Sequence, residues 1–334
     1  MFELHGRKGL EVQKPISLGL IGVGRHGKRY LHHLLSEDTG GTLVAISRKN
    51  HAEGLHLAAE YPLRFYPNYR DLLADRTIQA VLIVTPPSLN FSIASEAIKH
   101  GKAVLIEKPL ALNSTDGHQI IDAANKARIP LMTAHTLRYE PAIRTLQDIG
   151  SSLGTWKYLS CTMRFENHPS SPSQEQAWQH HGSLMEFGIH LLDLVHFLTQ
   201  DTIRTVSAHI PPPFPQKAEE QAFITLTTHG GLPCYLDISR VSPGRVTRAE
   251  IIGSNGQALA DWTTGLVQKY SQENQKTDIL CPPSPTLVAL LKDFVLAIRT
   301  GGPMPITGED GLRAVELAEA CYQAAKTGQL VHLS

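Results

Sequence analysis

Disulfide pairs, excess charge and long apolar runs are all missing from this sequence. Its 334 residues include only four cysteines, Cys161, Cys234, Cys281 and Cys321, with successive gaps of 73, 47 and 40 residues. This spacing excludes a disulfide framework and a cysteine-rich metal site, so we expect free thiols in a reducing, cytoplasmic setting and no metal. The 31 Lys and Arg residues balance 31 Asp and Glu residues, which favours neither nucleic acid nor an anionic membrane as a partner.

Membrane and export signals are also missing. No apolar run approaches the ~18 residues that a membrane-spanning helix needs. Residues 1–14 carry scattered charges and lack the apolar core of a secretory signal. We interpret them as a polar N-terminal arm and predict no membrane partner.

Short apolar runs alternate with helical patterns from Ile16 to about residue 135. Such alternation predicts a parallel sheet covered by helices on both faces, and hence an α/β domain over residues 15–135. The predicted strands are 16–21, 42–47, 79–84, 102–106 and 130–134, and the predicted helices are 25–38, 50–60, 88–100 and 114–128.

A different pattern follows, and it predicts a second, α+β domain over residues 136–334. Its strand-like segments are separated by turn signals, which indicates a mostly antiparallel, open sheet. The predicted strands are 155–165, 203–210, 221–228, 233–241, 247–253 and 257–262, and the predicted helices are 183–199, 286–299 and 309–326. Residues 166–182 are polar and are predicted as a loop.

A glycine turn joins the first strand to the first helix. Gly22, Gly24 and Gly27 fit G-x-G-x-x-G, with Arg25 and His26 between the last two glycines. In this position the glycines permit a tight turn, close approach of a pyrophosphate and packing of helix on strand. The free N–H groups at the start of the helix then favour phosphate. The motif therefore predicts a Rossmann domain that binds a dinucleotide.

The end of the second strand bears on the choice of cofactor. An acidic residue normally holds the adenosine ribose there, but this chain has Ser47, Arg48 and Lys49. Two cations and a hydroxyl suit a 2′-phosphate, so NADP is favoured. Arg48 stacked on adenine would accept either cofactor, and NAD stays open.

Several segments in the same order carry a family resemblance. Glu107-Lys108-Pro109 follows the predicted strand 102–106, and Thr85-Pro86-Pro87 follows the predicted strand 79–84. With the glycine turn, the crossover at 133–146, the helix at 182–194 and the C-terminal segment at 306–333, they make the chain resemble the Gfo/Idh/MocA family of NAD(P)-dependent oxidoreductases. The resemblance implies cofactor contacts at Thr85, Pro86 and Glu107, and places Lys108 near both the cofactor and the reacting carbon. It also implies a homodimer or homotetramer that pairs through the second-domain sheet.

The helix at 183–199 carries the second predicted group of catalytic residues. Glu186 and His190 are spaced i,i+4 and share one helix face. Histidine is a natural proton acceptor near neutral pH, and a carboxylate can orient it. The resemblance implies a catalytic His at His190, but it implies Asp where this chain has Glu186. We expect Glu186 to position His190.

The predicted substrate pocket adds Arg138, Tyr139 and Trp178 to Lys108 and His190. His135 is a further pocket candidate, or else a cap at the strand end. Together these features predict a dehydrogenase that transfers hydride between nicotinamide and a carbinol carbon. The resemblance implies a sugar, sugar derivative or cyclitol as substrate. Two alternatives stay open: a non-sugar reductase like biliverdin reductase, and a cofactor-binding regulator without turnover.

Overall fold

The computed structural model describes residues 14–166, 181–212, 214 and 217–333. Two sheets organise this part of the chain. Trp178, nearly all of the predicted N-terminal arm and most of the predicted loop at 166–182 lie outside the described residues.

The first sheet has six parallel strands in the order β3-β2-β1-β4-β5-β6. Both faces are covered, which is why β4 and β5 are apolar along their lengths and buried throughout. The strands are β1 Ile16–Ile21, β2 Gly41–Ser47, β3 Arg64–Tyr66, β4 Ala80–Ile83, β5 Ala103–Glu107 and β6 Leu131–Ala134. The predicted Rossmann architecture is confirmed.

Five helices accompany this sheet. They are α1 Arg25–Ser36, α2 His51–Glu60, α3 Tyr69–Ala74, α4 Asn90–Lys99 and α5 Ser114–Ala127. The side chains of Asn50, Asn68 and Asn113 accept backbone N–H bonds at the starts of α2, α3 and α5. In contrast, the residue that precedes α1 is Gly24, which has no side chain to cap the helix. The first N–H groups of α1 therefore stay available for a ligand.

The second sheet has nine strands in the order β14-β13-β12-β11-β7-β10-β9-β8-β15. Only β7 and β10 pair in parallel, so the predicted mostly antiparallel sheet is confirmed. The strands are β7 Trp156–Glu166, β8 Ile203–His209, β9 Gln221–Thr228, β10 Pro233–Ser242, β11 Val246–Gly253, β12 Gly256–Asp261, β13 Leu266–Ser271, β14 Lys276–Leu280 and β15 Val331–His332.

The described residues after β6 include four helices. They are α6 Pro141–Gly150, α7 Ile189–Thr199, α8 Thr286–Thr300 and α9 Gly308–Thr327. A π-helical turn, Leu184–Gly188, precedes α7 directly. Leu191, Leu192 and Val195 of α7 are buried against the inner face of the nine-stranded sheet.

Helix α8 lies in the range predicted as the second domain, yet it packs into the first core. Leu287, Leu291 and Phe294 are buried in one cluster with Leu18 and Leu20 of β1. The chain therefore returns to the first sheet after completing the second. The sequence pattern had no signal for this return, because periodicity identifies the apolar face of a helix but not its neighbour.

All four cysteines are buried free thiols, as the spacing predicted. In the part of the chain with described structure, no helix has the length and apolar character needed to cross a membrane.

Candidate functional site

The glycine turn has the geometry that a dinucleotide requires. Gly22 has φ +94°, and a Cβ there would lie 2.3 Å from the carbonyl oxygen of Val84. A Cβ on Gly27 would lie 2.0 Å from the carbonyl oxygen of Gly22, so α1 can pack here only with glycine. A Cβ on Gly24 would meet nothing within 4 Å. The backbone at Gly24 thus borders open space, which fits a diphosphate at the start of α1.

A cleft of about 920 Å³ opens from this turn across the carboxyl ends of the first-sheet strands. It brings together seven of the predicted cofactor residues: Gly22, Gly24, Ser47, Arg48, Lys49, Thr85 and Pro86. Ligands of open α/β sheets bind at this edge. Arg25 is exposed beside the turn and does not line the cleft.

Arg48 is held at one end of the cleft by an acid that the sequence analysis missed. Its Nη2 donates to Glu53 Oε2 at 2.5 Å, and Lys28 Nζ lies 2.7 Å from Glu53 Oε1. Two other guanidinium nitrogens of Arg48, Nε and Nη1, are buried without a hydrogen-bond partner. Unpaired buried donors are costly, so this arginine is suited to an acceptor supplied by a ligand.

Glu107 is bound by the protein itself. Its Oε1 lies 2.7 Å from His26 Nε2 and accepts a hydrogen bond of 2.6 Å from the buried hydroxyl of Tyr30. Burial opposes ionisation, but the bonds and charges of His26, Lys108 and Tyr30 hold the pKa of Glu107 below its ordinary value. The carboxylate therefore fixes α1 against the end of β5. His26 is bonded to Glu107 in this group. The structure therefore gives no independent support for the cofactor contact that was predicted for His26.

The loop that carries Lys108 is fixed from behind by Asn90. This buried side chain donates from Nδ2 to the carbonyl oxygens of Glu107 (3.3 Å) and Pro109 (2.8 Å). The peptide between Lys108 and Pro109 is cis. Asn90 was not among the predicted site residues, because nothing in the pattern shows that the start of α4 faces this loop.

Lys108 reaches from the first sheet to the turn before α7. Its Nζ donates to the backbone carbonyl oxygen of Glu186 at 2.7 Å. Burial lowers the pKa of Lys108, although Glu107 and Glu186 oppose this shift. The two predicted catalytic segments therefore meet, even though they lie almost 80 residues apart in the chain.

The Glu186 carboxylate does not orient His190. Its Oε2 accepts a 2.5 Å bond from Arg240 Nη2 on β10. Arg240 also lies over the ring of Phe187, with 5.6 Å from its Cζ to the ring centroid. The longer Glu side chain thus extends to the sheet, and the expected Glu186–His190 pairing is wrong for this structure.

His190 instead lies beside His135. The two rings meet edge to face with centroids 6.3 Å apart. Burial, with the charge of Lys108, lowers the pKa of His190 well below its ordinary value. His190 is therefore neutral at pH 7, as a proton acceptor must be.

Arg138 and Tyr139 have structural partners in place of a substrate. Arg138 is buried, and its Nε and Nη2 donate to the two carboxylate oxygens of Asp193 at 2.9 and 2.5 Å, while Nη1 donates to Asp310 at 3.3 Å. The Tyr139 hydroxyl donates to Asp293 of α8 at 2.9 Å. Neither side chain is free for the substrate contact that we expected, because each is bound by carboxylates from later helices.

Glu219, which no sequence motif singles out, binds the backbone at the start of the π-helical turn before α7. The buried carboxylate accepts from the backbone N–H groups of Gly182 (3.1 Å) and Leu184 (2.7 Å) and from the Tyr322 hydroxyl (2.9 Å). A Cβ on Gly182 would lie 1.9 Å from the Glu219 carbonyl oxygen. Only glycine allows this approach, which a hydropathy pattern cannot reveal.

Two family models match the chain. One, described as the NAD-binding Rossmann fold of an oxidoreductase family, matches residues 16–135. The other, the C-terminal alpha/beta domain of the same family, matches residues 150–333. The chain belongs to the Gfo/Idh/MocA oxidoreductase family. It is therefore an oxidoreductase with an NAD-binding Rossmann fold, as the resemblance implied.

Relatives of known activity align along most of the chain. D-Apiose dehydrogenase of Paraburkholderia graminis is 26% identical over 94% of this chain and 88% of its own. UDP-N-acetylglucosamine 3-dehydrogenase of Acidithiobacillus ferrooxidans is 27% identical over 90% of this chain and 94% of its own. Its solved structure superposes with a TM-score of 0.83, covering 94% of this chain and 99% of that one. Inositol 2-dehydrogenase of Salmonella typhimurium is 23% identical over 94% of this chain and 95% of its own.

Removing Arg138 should destabilise the fold far more than removing a neighbouring arginine. Arg138→Leu leaves Asp193 charged and buried without its partner, which should lower the free energy of unfolding by about 3–5 kcal/mol. Arg313→Leu also removes a partner of Asp310, but that pair is partly exposed and should contribute about 0–1 kcal/mol. Urea unfolding of both variants measures the difference. Equal losses would contradict a buried structural role for Arg138.

Proposed function

We propose that this protein is an NAD(P)-dependent dehydrogenase that transfers hydride between the nicotinamide and a carbinol carbon of a sugar, sugar derivative or cyclitol. One observation carries the proposal. Lys108 follows β5 at the carboxyl edge of the first sheet, and its Nζ donates to the Glu186 carbonyl in the turn that leads into α7, the helix of His190. The charge of Lys108 also lowers the pKa of His190. A cation beside a neutral imidazole suits an alcohol that loses its proton as it is oxidised.

In the proposed oxidation, His190 accepts the hydroxyl proton of the substrate. Lys108 stabilises the negative charge that develops on that oxygen and is held in place by the Glu186 carbonyl. The bound nicotinamide supplies the hydride acceptor. In the reverse direction, His190 returns the proton to the oxygen of the reduced carbonyl.

The substrate class rests on the relatives. The three named above act on D-apiose, UDP-N-acetylglucosamine and inositol, as their names state. All three substrates are polyhydroxylated small molecules. The free thiols and balanced charge support a cytoplasmic enzyme with a small-molecule substrate.

Replacing Lys108 or His190 should abolish turnover without weakening the binding of the dinucleotide. His190→Ala should lower kcat by roughly 10²–10⁴-fold, the usual contribution of a positioned proton acceptor. Lys108→Ala should also lower kcat strongly, because its charge matters most in the transition state. Stopped-flow turnover on a panel of sugars and cyclitols, with cofactor affinity from nicotinamide fluorescence, measures both quantities. A kcat near that of the wild type in His190→Ala would disprove the assigned proton acceptor.

The proposed cofactor preference is for NADP. Arg48 and Lys49 line one end of the cleft, and Glu53, which pairs with both Arg48 and Lys28, offsets one of these three charges. The excess of positive charge favours a 2′-phosphate over a 2′-hydroxyl. Without that phosphate, Glu53 could itself accept a ribose hydroxyl, so Glu53 opposes NADP.

Variants of Arg48 and Glu53 should therefore change NADP affinity in opposite directions. Arg48→Asp loses a charge-assisted contact and should weaken NADP by about 10- to 150-fold, with a smaller effect on NAD. Glu53→Gln removes the competing carboxylate and should strengthen NADP relative to NAD. Calorimetric titration of each protein with both dinucleotides gives the ratios. Tighter binding of NAD than NADP by the wild-type protein would exclude the proposed preference.

We also propose that copies pair through the outer face of the nine-stranded sheet. Phe223 and Tyr235 are 40% and 48% exposed on the face opposite α7. They lie beside a depression of about 470 Å³ bordered by Ser160, Thr162 and Thr225. Exposed aromatic side chains on a broad sheet face are typical of an interface between subunits.

Charges on this face should separate the subunits. The double variant Phe223→Glu, Tyr235→Glu should be a monomer by light scattering at micromolar concentration, while the wild-type protein is a dimer or tetramer. Leu296→Glu is the control, because Leu296 is 53% exposed on α8, away from this sheet. A wild-type monomer at the same concentration would contradict the proposed assembly.

A further inference from the structure

His135 is buried in a way that its immediate surroundings do not satisfy. It follows β6 and is 0% exposed. Neither of its ring nitrogens has a hydrogen-bond partner. An unsatisfied buried imidazole is costly, and such groups in native proteins generally have a functional or structural reason.

Two groups lie beside the His135 ring. Its Nδ1 lies 3.8 Å from Asp193 Oδ2. The ring of His190 contacts it edge to face, with 6.3 Å between centroids. The Nδ1 atom of His190 is likewise buried without a hydrogen-bond partner. Thus an acid, an imidazole and the proposed proton acceptor follow one another in space.

We propose that His135 is a positioning residue for His190, with Asp193 behind it. In this arrangement His135 Nδ1–H donates to Asp193, and His135 Nε2 accepts the Nδ1–H of His190. His190 Nε2 then keeps a lone pair for the proton of the substrate hydroxyl. This inference rests on the proposed function for its last step, but the arrangement of the two imidazoles does not.

The distances in the free protein are longer than hydrogen bonds. Catalytic hydrogen bonds are often long before substrate binds and tighten in the complex. Hydrogen bonds between a nucleophile, its base and a third group that orients the base are likewise often looser before substrate binds. When His190 Nε2 takes up the proton as the substrate O–H bond breaks, its Nδ1–H continues to donate to His135 Nε2, so the hydrogen bond between the two imidazoles is unchanged.

The surrounding charges favour a neutral His135, which can act as an acceptor. Burial, Arg138 and Lys108 lower the pKa of His135, although Asp193 and Asp310 oppose this shift. Burial and the charges of Lys108, His135 and His26 lower the pKa of His190. A neutral His135 that accepts a hydrogen bond from His190 opposes this shift, because it stabilises the imidazolium where a charged ring would repel it. Asp193, whose Oδ2 lies 3.8 Å from His135 Nδ1, supports the acceptor from the other ring nitrogen.

Glu186 does not provide this support. Its carboxylate is bonded to Arg240, and its backbone carbonyl to Lys108. His135 thus fills the place that the i,i+4 spacing assigned to Glu186.

The tautomer of His190 tests this arrangement without any turnover. Uniformly ¹⁵N-labelled protein should show His190 in the Nδ1–H form by long-range ¹H–¹⁵N correlation, with the signals assigned from His190→Gln and His135→Gln spectra. His196 on the same helix is an internal reference, because its Nδ1 lies 2.9 Å from the Asp201 carbonyl oxygen, which can only accept. His190 in the Nε2–H form, in the wild-type protein saturated with dinucleotide, would overturn the proposal.

Kinetics of His135 variants supply the second test. His135→Leu removes the acceptor and should lower kcat by about 10- to 150-fold, with KM changed less than about twofold. The acid limb of its pH profile should move to lower pH, because the His190 imidazolium loses a partner and its pKa falls. His135→Gln can still accept at the same reach and should restore most of kcat and the wild-type pH profile.

Thr133→Val is the matched control. Thr133 lies two residues earlier and is also buried, with an unpartnered hydroxyl, so this variant should keep the wild-type profile. An unchanged kcat in His135→Leu, or a loss in His135→Gln equal to that in His135→Leu, would overturn the positioning role. A wild-type protein inactive on every polyol would instead refute the proposed function, while the tautomer measurement would still test the histidine pair.

Discussion

The buried charge cluster of Arg138, Asp193 and Asp310 determines how the two sheets meet. Arg138 follows the last strand of the first sheet, Asp193 lies on α7, and Asp310 lies in the first turn of α9. Each charge has left water at considerable cost, so the cluster is stable only while all partners are in position. Although burial opposes ionisation of Asp310, Arg138 and the neighbouring donors hold its pKa well below the ordinary value. A small displacement of α7 would therefore leave a buried charge without its partner, because it would separate Asp193 from Arg138.

This constraint extends to the proposed chemistry because His190 is three residues from Asp193. Fixing Asp193 fixes the helix, and Glu219 fixes its first turn from the other end. On the other side, Asn90 and Glu107 fix the loop of Lys108. The bond from Lys108 to the Glu186 carbonyl then joins two segments that are each already held. Preorganisation of this kind is what allows a charge to stabilise a transition state without reorganisation.

The sequence predicted the fold well where the signal is local. The G-x-G-x-x-G turn, the apolar runs of β4 and β5 and the periodicity of α7 depend on neighbours in the chain, and each corresponds to the structure. Short or exposed elements such as β3, with three residues, and β14, a polar strand at the sheet edge, were missed. The ten-residue helix α6 was missed as well. In the site, the predicted cleft residues came together because they follow successive parallel strands. The partners of Arg138 and Glu186 could not be predicted, since they lie some 50 residues or more away in sequence and depend on how helices pack.

Glu186, where the family resemblance implies Asp, illustrates how the length of a side chain selects its partners. The longer side chain reaches β10, and its carboxylate pairs with Arg240 at 2.5 Å, which removes it from the environment of His190. A proton acceptor without a carboxylate partner needs another group to select its tautomer and to accept from the imidazolium. His135 is the only titratable ring in contact with His190 in the part of the chain that the structure describes. Asp193, whose charge is already required by Arg138, stands directly behind it. In the proposed mechanism, the acid that binds Arg138 between the two sheets is therefore also the acid behind the proton acceptor, so that the fold and the proposed catalysis depend on the same carboxylate.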